Sequence, residues 1–214
     1  MKKILAFILT VVLLAAGACT SPVDDCGPFP DTFKTTGFEA SIHQAEFSDS
    51  LGAEPMLSRI AGDTLRTGHF AIELRTEMET YFSHRSEASS TRFLSSAYAC
   101  SPVLPSSDEV IQDIQIYSDT AFGEEYSAGD DLSALFDVVV YRKSHRHDGY
   151  PGYRRFDLNE FLDRDPTAAW TLFLVLDETP ATTTRAQFTV EYEQDGKGIE
   201  SYEFTTTSVV LTSE

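Results

Sequence analysis

Phe70-Ala71-Ile72-Glu73-Leu74-Arg75-Thr76-Glu77-Met78 decides the fold class. Phe70, Ile72, Leu74, Thr76 and Met78 alternate with Ala71, Glu73, Arg75 and Glu77, a period of two that places one set of side chains on a buried sheet face. Phe38, Ala40 and Ile42 alternate in the same way with Glu39, Ser41 and His43. Further strands are expected at Ile111 to Tyr117 and at Phe136 to Tyr141. Trp170 to Leu176 is apolar at almost every position, the pattern of a central strand covered on both faces, with Trp170 as a core anchor at its head. Near the C-terminus, Gln187 to Glu193 and Ile199 to Thr206 flank Asp195-Gly196-Lys197-Gly198, which has the chemistry of a hairpin turn. Ser208 to Thr212 extends the returning strand or forms the last one.

Helix is scarce. Asp130 or Asp131 can cap a turn through Leu132 to Leu135, and Asp157-Leu158-Asn159-Glu160 has capping-box spacing ahead of Phe161-Leu162, closed by Asp165-Pro166. Seven or eight strands at irregular spacing, with long excursions at residues 49–67, 79–108 and 143–166, predict an all-β fold. The expected form is an antiparallel immunoglobulin-like β-sandwich with long loops and one or two short helices.

The N-terminus carries the most specific signal. Met1-Lys2-Lys3 is a basic head, Ile4 to Ala16 a nearly unbroken apolar run, and Ala16-Gly17-Ala18-Cys19 a run of small residues ending in cysteine. The apolar run is shorter than the roughly 20 residues a membrane-spanning helix needs, so it reads as a cleaved signal peptide. A cysteine directly after the small residues resembles the lipobox of bacterial lipoproteins, in which that residue becomes the acylated N-terminus. Several acyl chains on Cys19 would anchor the protein stably in a membrane. The division expected is a signal peptide at 1–18, a polar, proline-broken tether at 19–35, and a single β-sandwich domain at 36–214.

Of the three cysteines, lipidation of Cys19 leaves Cys26 and Cys100 as an even pair in an oxidising compartment, where a disulfide is the economical inference. It would close a loop of about 75 residues and contribute up to ~4 kcal/mol in the chain-entropy model. The alternative is that both stay thiols, Cys100 as a small buried side chain.

Taken together, the lipobox, Ser95-Ser96-Ala97-Tyr98-Ala99-Cys100, Ile111-Gln112-Asp113-Ile114-Gln115-Ile116-Tyr117-Ser118-Asp119 and Ala128-Gly129-Asp130-Asp131-Leu132-Ser133-Ala134-Leu135-Phe136 resemble a family of uncharacterised lipoproteins from Bacteroidota. The likeness covers most of the chain after the leader. It implies an envelope location and a β-rich fold, and, being a likeness to a domain of unknown function, it brings no catalytic residues.

The chain has 16 basic and 34 acidic residues, a net charge of −18. Without Lys2 and Lys3 the balance is 14 against 34, or −20. This argues against nucleic acid as a partner, because phosphate binding needs a basic surface. Basic residues nevertheless cluster at one place: Arg142, Lys143, Arg146, Arg154 and Arg155 fall within residues 142–155, with Tyr150 and Tyr153 among them and Tyr141 immediately before. A basic, tyrosine-bearing loop on an acidic domain suits an anionic glycan, a lipid headgroup or an acidic protein. The competing reading is local charge balance with Asp157, Glu160, Asp163 and Asp165.

His145-Arg146-His147-Asp148 is the densest group of metal-ligand types. Two histidines two apart on a strand share one face, but the spacing of His-x-His-x-Asp-His metallohydrolases fails, since Asp148 falls one residue early. His43, His69 and His84 are not placed near it by the sequence, and Gly149-Tyr150-Pro151-Gly152 marks a turn, so no metal and no cofactor is expected. There is no Gly-x-Ser-x-Gly elbow and no P-loop. The acidic residues read mostly as surface, and Asp195 to Gly198 lacks the further ligands of a calcium loop.

The expectation is a non-enzymatic binding or structural module, anchored by lipid in the cell envelope. Its candidate binding residues are Arg142, Lys143, His145, Arg146, His147, Tyr150, Tyr153, Arg154 and Arg155, and its partners are the membrane and a glycan or an envelope protein. A carbohydrate-binding surface lipoprotein, an envelope hydrolase and a subunit assembled by strand exchange are the competing classes. Thr20 offers no inner-membrane retention signal and Asp24-Asp25 partly matches acidic surface-export signals, which favours the outer membrane without fixing the face.

Overall fold

The computed structural model describes residues 30–46, 56–58, 64–66, 70–83, 104–142, 152–177, 180 and 182–212. The strands in chain order are β1 (Thr32–Glu46), β2 (Met56–Ser58), β3 (Thr64–Arg66), β4 (Phe70–Tyr81), β5 (Ser106–Ser107), β6 (Val110–Ser118), β7 (Phe136–Arg142), β8 (Gly152–Asp157), β9 (Thr171–Leu176), β10 (Thr184–Ala186), β11 (Phe188–Asp195), β12 (Ser201–Thr205) and β13 (Val209–Thr212). A short helix, α1 (Leu158–Leu162), follows β8. The main sheet has the order β2-β1-β4-β9-β7-β8, and β5 joins it by a parallel pairing with β1. Smaller sheets of order β12-β11-β6 and β10-β13-β3 pack against it.

The result is the expected all-β, mostly antiparallel sandwich. Its core lies between Phe38, Phe70, Ile72, Leu74, Val138, Leu172 and Leu174 of the main sheet and Ile114, Ile116, Phe188, Val190 and Tyr192 of the facing sheet. Aromatic rings close the seam, with centroids 4.7 Å apart for Phe38 and Tyr192 and 5.1 Å apart for Phe70 and Phe188. Burying one such aromatic side chain stabilises the fold by about 2–3 kcal/mol.

β9 is central, as its composition requires: Leu172, Leu174 and Leu176 enter the main core, while Phe173 and Val175 enter a second cluster on the outer face with Ala45, Ala71 and Val139. The hairpin between β11 and β12 forms around Gly196 and Gly198, with the Gln194 amide donating to the Glu200 carbonyl at 2.9 Å. α1 is capped as the sequence specifies: the Asp157 side chain accepts from the Glu160 amide at 2.9 Å. The Leu132 to Leu135 turn is a single 3-10 turn at Ser133–Leu135.

Four expectations are corrected. β1 takes in Thr32 to Thr35, which the sequence assigns to the tether; Phe33 and Thr35 are buried, and β4 extends far enough to pair with them. The excursion at 143–166 contains β8, in which Tyr153 and Arg155 fall on the outer face and Arg154 and Phe156 on the inner one. Trp170 is 37% exposed and stands at the sheet end. Its indole N–H donates to the Pro105 carbonyl at 3.0 Å and its ring meets the edge of Phe33, because an indole N–H needs a partner that the apolar core lacks. Lastly, Glu73 and Glu109 are buried rather than superficial.

Candidate functional site

The nine candidate binding residues separate into three groups. Lys143, His145, Arg146, His147 and Tyr150 lie outside the described residues, as do Cys19, Cys26 and Cys100. Arg142 is paired with Gly152 in the β7–β8 ladder, so residues 143–151 connect two hydrogen-bonded strands. Tyr153, Arg154 and Arg155 sit on β8, at the edge of the main sheet.

Arg155 is held internally. Its guanidinium pairs with Asp137, which lies diagonally across on β7 two residues before its direct partner Val139, and with Asp177 just past β9, at 2.5 Å. Charge balance therefore operates here, but with acids other than those the sequence suggests. Asp157 instead caps α1, and Glu160 pairs with Arg164 one helical turn on. Burial holds the Asp137 carboxyl above its ordinary pKa; the Arg155 contact pulls it the other way and only partly compensates. Arg154 donates from Nη1 to the Tyr153 carbonyl at 3.0 Å.

Tyr141 and Tyr153 oppose each other across β7 and β8 at the root of this connection, centroids 5.4 Å apart and edge to face. Tyr153 packs inward on Phe173, whereas Tyr141 is 45% exposed. In the sequence both tyrosines accompany the basic cluster, Tyr141 at the end of a strand and Tyr153 among the candidate binding residues. The register of the pairing, which the sequence does not reveal, is what brings the two rings together.

Further along the outer face lies a polar cluster that motif reasoning missed. Ser41 and His43 on β1 are adjacent to Glu73 and Arg75 on β4. Glu73, only 4% exposed, places Oε2 2.8 Å from His43 Nε2 and accepts from Arg75 Nη2 on Oε1 at 3.0 Å. Ser41 Oγ is also 2.8 Å from His43 Nε2. A nucleophilic triad needs the serine and the acid on opposite ring nitrogens, so serine and glutamate meeting at one nitrogen is not triad geometry. Alternation of β1 and β4 could have placed these four residues on one face; their burial could not be read that way.

A second buried acid lies at the other end of the molecule. Glu109, between β5 and β6, is fully buried, and its Oε2 accepts from the Thr35 amide at 2.8 Å, from Gln194 Nε2 at 3.1 Å and from Ser107 Oγ at 3.3 Å. The β11–β12 turn closes over it, with Gly196 at φ +147° and both Gly196 and Gly198 against the Glu109 side chain. Above the turn, Lys197 lies over the Tyr81 ring at 4.8 Å and pairs with Asp108 at 3.5 Å. Among the described residues, no three His, Cys, Asp or Glu side chains converge as a metal site requires, and no helix is long and apolar enough to cross a membrane.

These features define an all-β sandwich with two buried carboxylates and an aromatic hairpin root. Residues 45–146 match a family described as a domain of unknown function (DUF5034). The match runs from the end of β1 through β7 into the following connection and stops short of β8, β9 and the C-terminal strands. No curated protein and no solved structure matches the chain.

Proposed function

We propose that the protein is a lipid-anchored envelope lipoprotein of the Bacteroidota type, acting as a non-enzymatic binding module whose ligand surface is the β7–β8 hairpin. The observation that carries the reading is the Tyr141–Tyr153 pair: an exposed ring standing on a ring fixed against Phe173, at the base of the connection that holds Lys143, Arg146 and Tyr150. A rigid aromatic beside cations presents contact area at low conformational cost, which suits recognition of a ligand with apolar faces and negative charge. A carbohydrate is the ligand class favoured by the exposure of Tyr141, since a sugar face stacks on such a ring.

The leader ending in Cys19 supports export and lipidation, with attachment to the outer membrane. The pairing of Cys26 with Cys100 belongs to the same reading: with Cys19 lipidated, these two remain as an even pair in an oxidising compartment.

The test is co-sedimentation of the full chain, purified in detergent, with peptidoglycan sacculi and with insoluble envelope polysaccharide. Retention on one of them, lost in Tyr141→Ala and kept in Lys197→Ala, is expected. No retention on either, or retention indifferent to Tyr141→Ala, would refute the hairpin surface.

A further inference from the structure

Two buried polar atoms among the described residues have no hydrogen-bond partner, Thr35 Oγ1 and Glu109 Oε1, and they belong to the same cluster. An unpaired buried hydroxyl or carboxylate oxygen costs about 1–3 kcal/mol, more if charged, so two on residues joined by one hydrogen bond call for an explanation. The third member supplies it. Gln194 is 4% exposed, its Nε2 donates to Glu109 Oε2 at 3.1 Å, and its Oε1 accepts from the Tyr192 hydroxyl at 3.1 Å. The same Glu109 oxygen receives the Thr35 amide at 2.8 Å, so Thr35 and Gln194 meet across one carboxylate. Thr35 shares the inward face of β1 with Phe33, and Gln194 the inward face of β11 with Tyr192 and Val190.

The geometry points to a self-modification: an intramolecular ester between Thr35 Oγ1 and Gln194 Cδ, formed with Glu109 as proton carrier and Tyr192 as donor to the carbonyl oxygen. A hydroxyl nucleophile, an amide electrophile, a carboxylate touching the leaving nitrogen and a hydroxyl on the carbonyl oxygen are the groups that acyl transfer requires. Thr35 Oγ1 attacks Cδ, and its proton passes to Glu109. Charge builds on Oε1, where the Tyr192 O–H already donates. The Cδ–Nε2 bond then breaks, Glu109 returns the proton to the departing nitrogen, and ammonia leaves. One C–O bond replaces one C–N bond, and nothing is oxidised or reduced.

Burial of all four groups excludes the water that would hydrolyse the ester. Tyr192 is suited to its part, because burial and then the Glu109 charge hold its phenol well above the ordinary range and keep the O–H in place. The link would join the first strand of the fold to a strand of the facing sheet, a covalent clamp across the sandwich.

The experiment is peptide mass spectrometry of the full chain purified from membranes. Trypsin cuts after Lys34 and Arg185, releasing residues 35–59 and 186–197. The expected result is these two peptides joined, lighter than their sum by one ammonia and separated by hydroxylamine, with the joined species absent from Thr35→Val and from Glu109→Gln. Recovery of both peptides only as separate species with the Gln194 amide intact would overturn the proposal. So would a link from Thr35 to Glu109 lighter by one water, or a joined species that persists in Thr35→Val. The wild-type result decides alone should either variant fail to fold.

Discussion

Replacing Gly198 with alanine should destabilise the protein more than the same change at Gly129. A Cβ at residue 198 would lie 2.2 Å from the Thr35 carbonyl oxygen, 2.3 Å from Glu109 Oε1 and 2.9 Å from the Thr35 amide nitrogen. All three fall well inside normal contact, and two belong to backbone. Relief requires moving the turn away from β1, which stretches the bond from the Ile199 amide to the Thr35 carbonyl, now 3.0 Å, and loosens the Glu109 carboxylate. Overpacking of this kind costs about 1–3 kcal/mol and a buried hydrogen bond lost with it about 1 kcal/mol more, so about 2–4 kcal/mol is expected. For a domain of this size that lowers Tm by roughly 4–16 °C. Gly129, at φ +85°, faces open space: a Cβ there would meet nothing within 4 Å, so alanine incurs only the backbone penalty, about 1–2 kcal/mol. Thermal unfolding followed by circular dichroism on both variants tests the difference. Equal losses, or a smaller loss at Gly198, would refute the close packing of the turn on Glu109.

Asp157→Ala removes the cap of α1 and should cost about 1 kcal/mol in urea unfolding, with Asp157→Asn closer to wild type. Glu73→Ala leaves His43 and Arg75 without their shared acid; because Glu73 is buried and Arg75 mostly exposed, a loss of about 2–3 kcal/mol is expected, measured the same way. Asp137 binds its proton more tightly in the folded state than in the unfolded chain, so its contribution to stability is greatest at acid pH and declines as pH rises from 3.8 through the raised folded value. Asp137→Asn should therefore gain stability relative to wild type across that interval, and parallel pH profiles of unfolding for the two proteins would contradict the raised pKa.

What could be read from the sequence was local. β4 and β9 follow from side-chain alternation and composition, α1 from the Asp157 to Glu160 spacing, and the β11–β12 hairpin from Asp195-Gly196. What escaped depends on partners distant in the chain. Arg155 is neutralised by Asp137 and Asp177 rather than by the acids next to it, a result of strand register alone. Glu73 and Glu109 look like ordinary surface acids until β1, β4 and the C-terminal turn are assembled around them. Trp170 carries a core-like sequence context but falls one residue before β9, where the sheet ends. The basic hairpin was legible as composition, whereas the Tyr141–Tyr153 pair at its root was not, because it is a cross-strand contact.

Lipid anchoring at Cys19 is tested by growing cells that express the full chain with an alkyne-tagged fatty acid and following both label and protein through detergent phase separation. Labelled protein in the detergent phase is expected for wild type, and unlabelled protein lost from that phase for Cys19→Ala. Wild-type protein that takes up no label and stays in the aqueous phase, or label that survives Cys19→Ala, would contradict it.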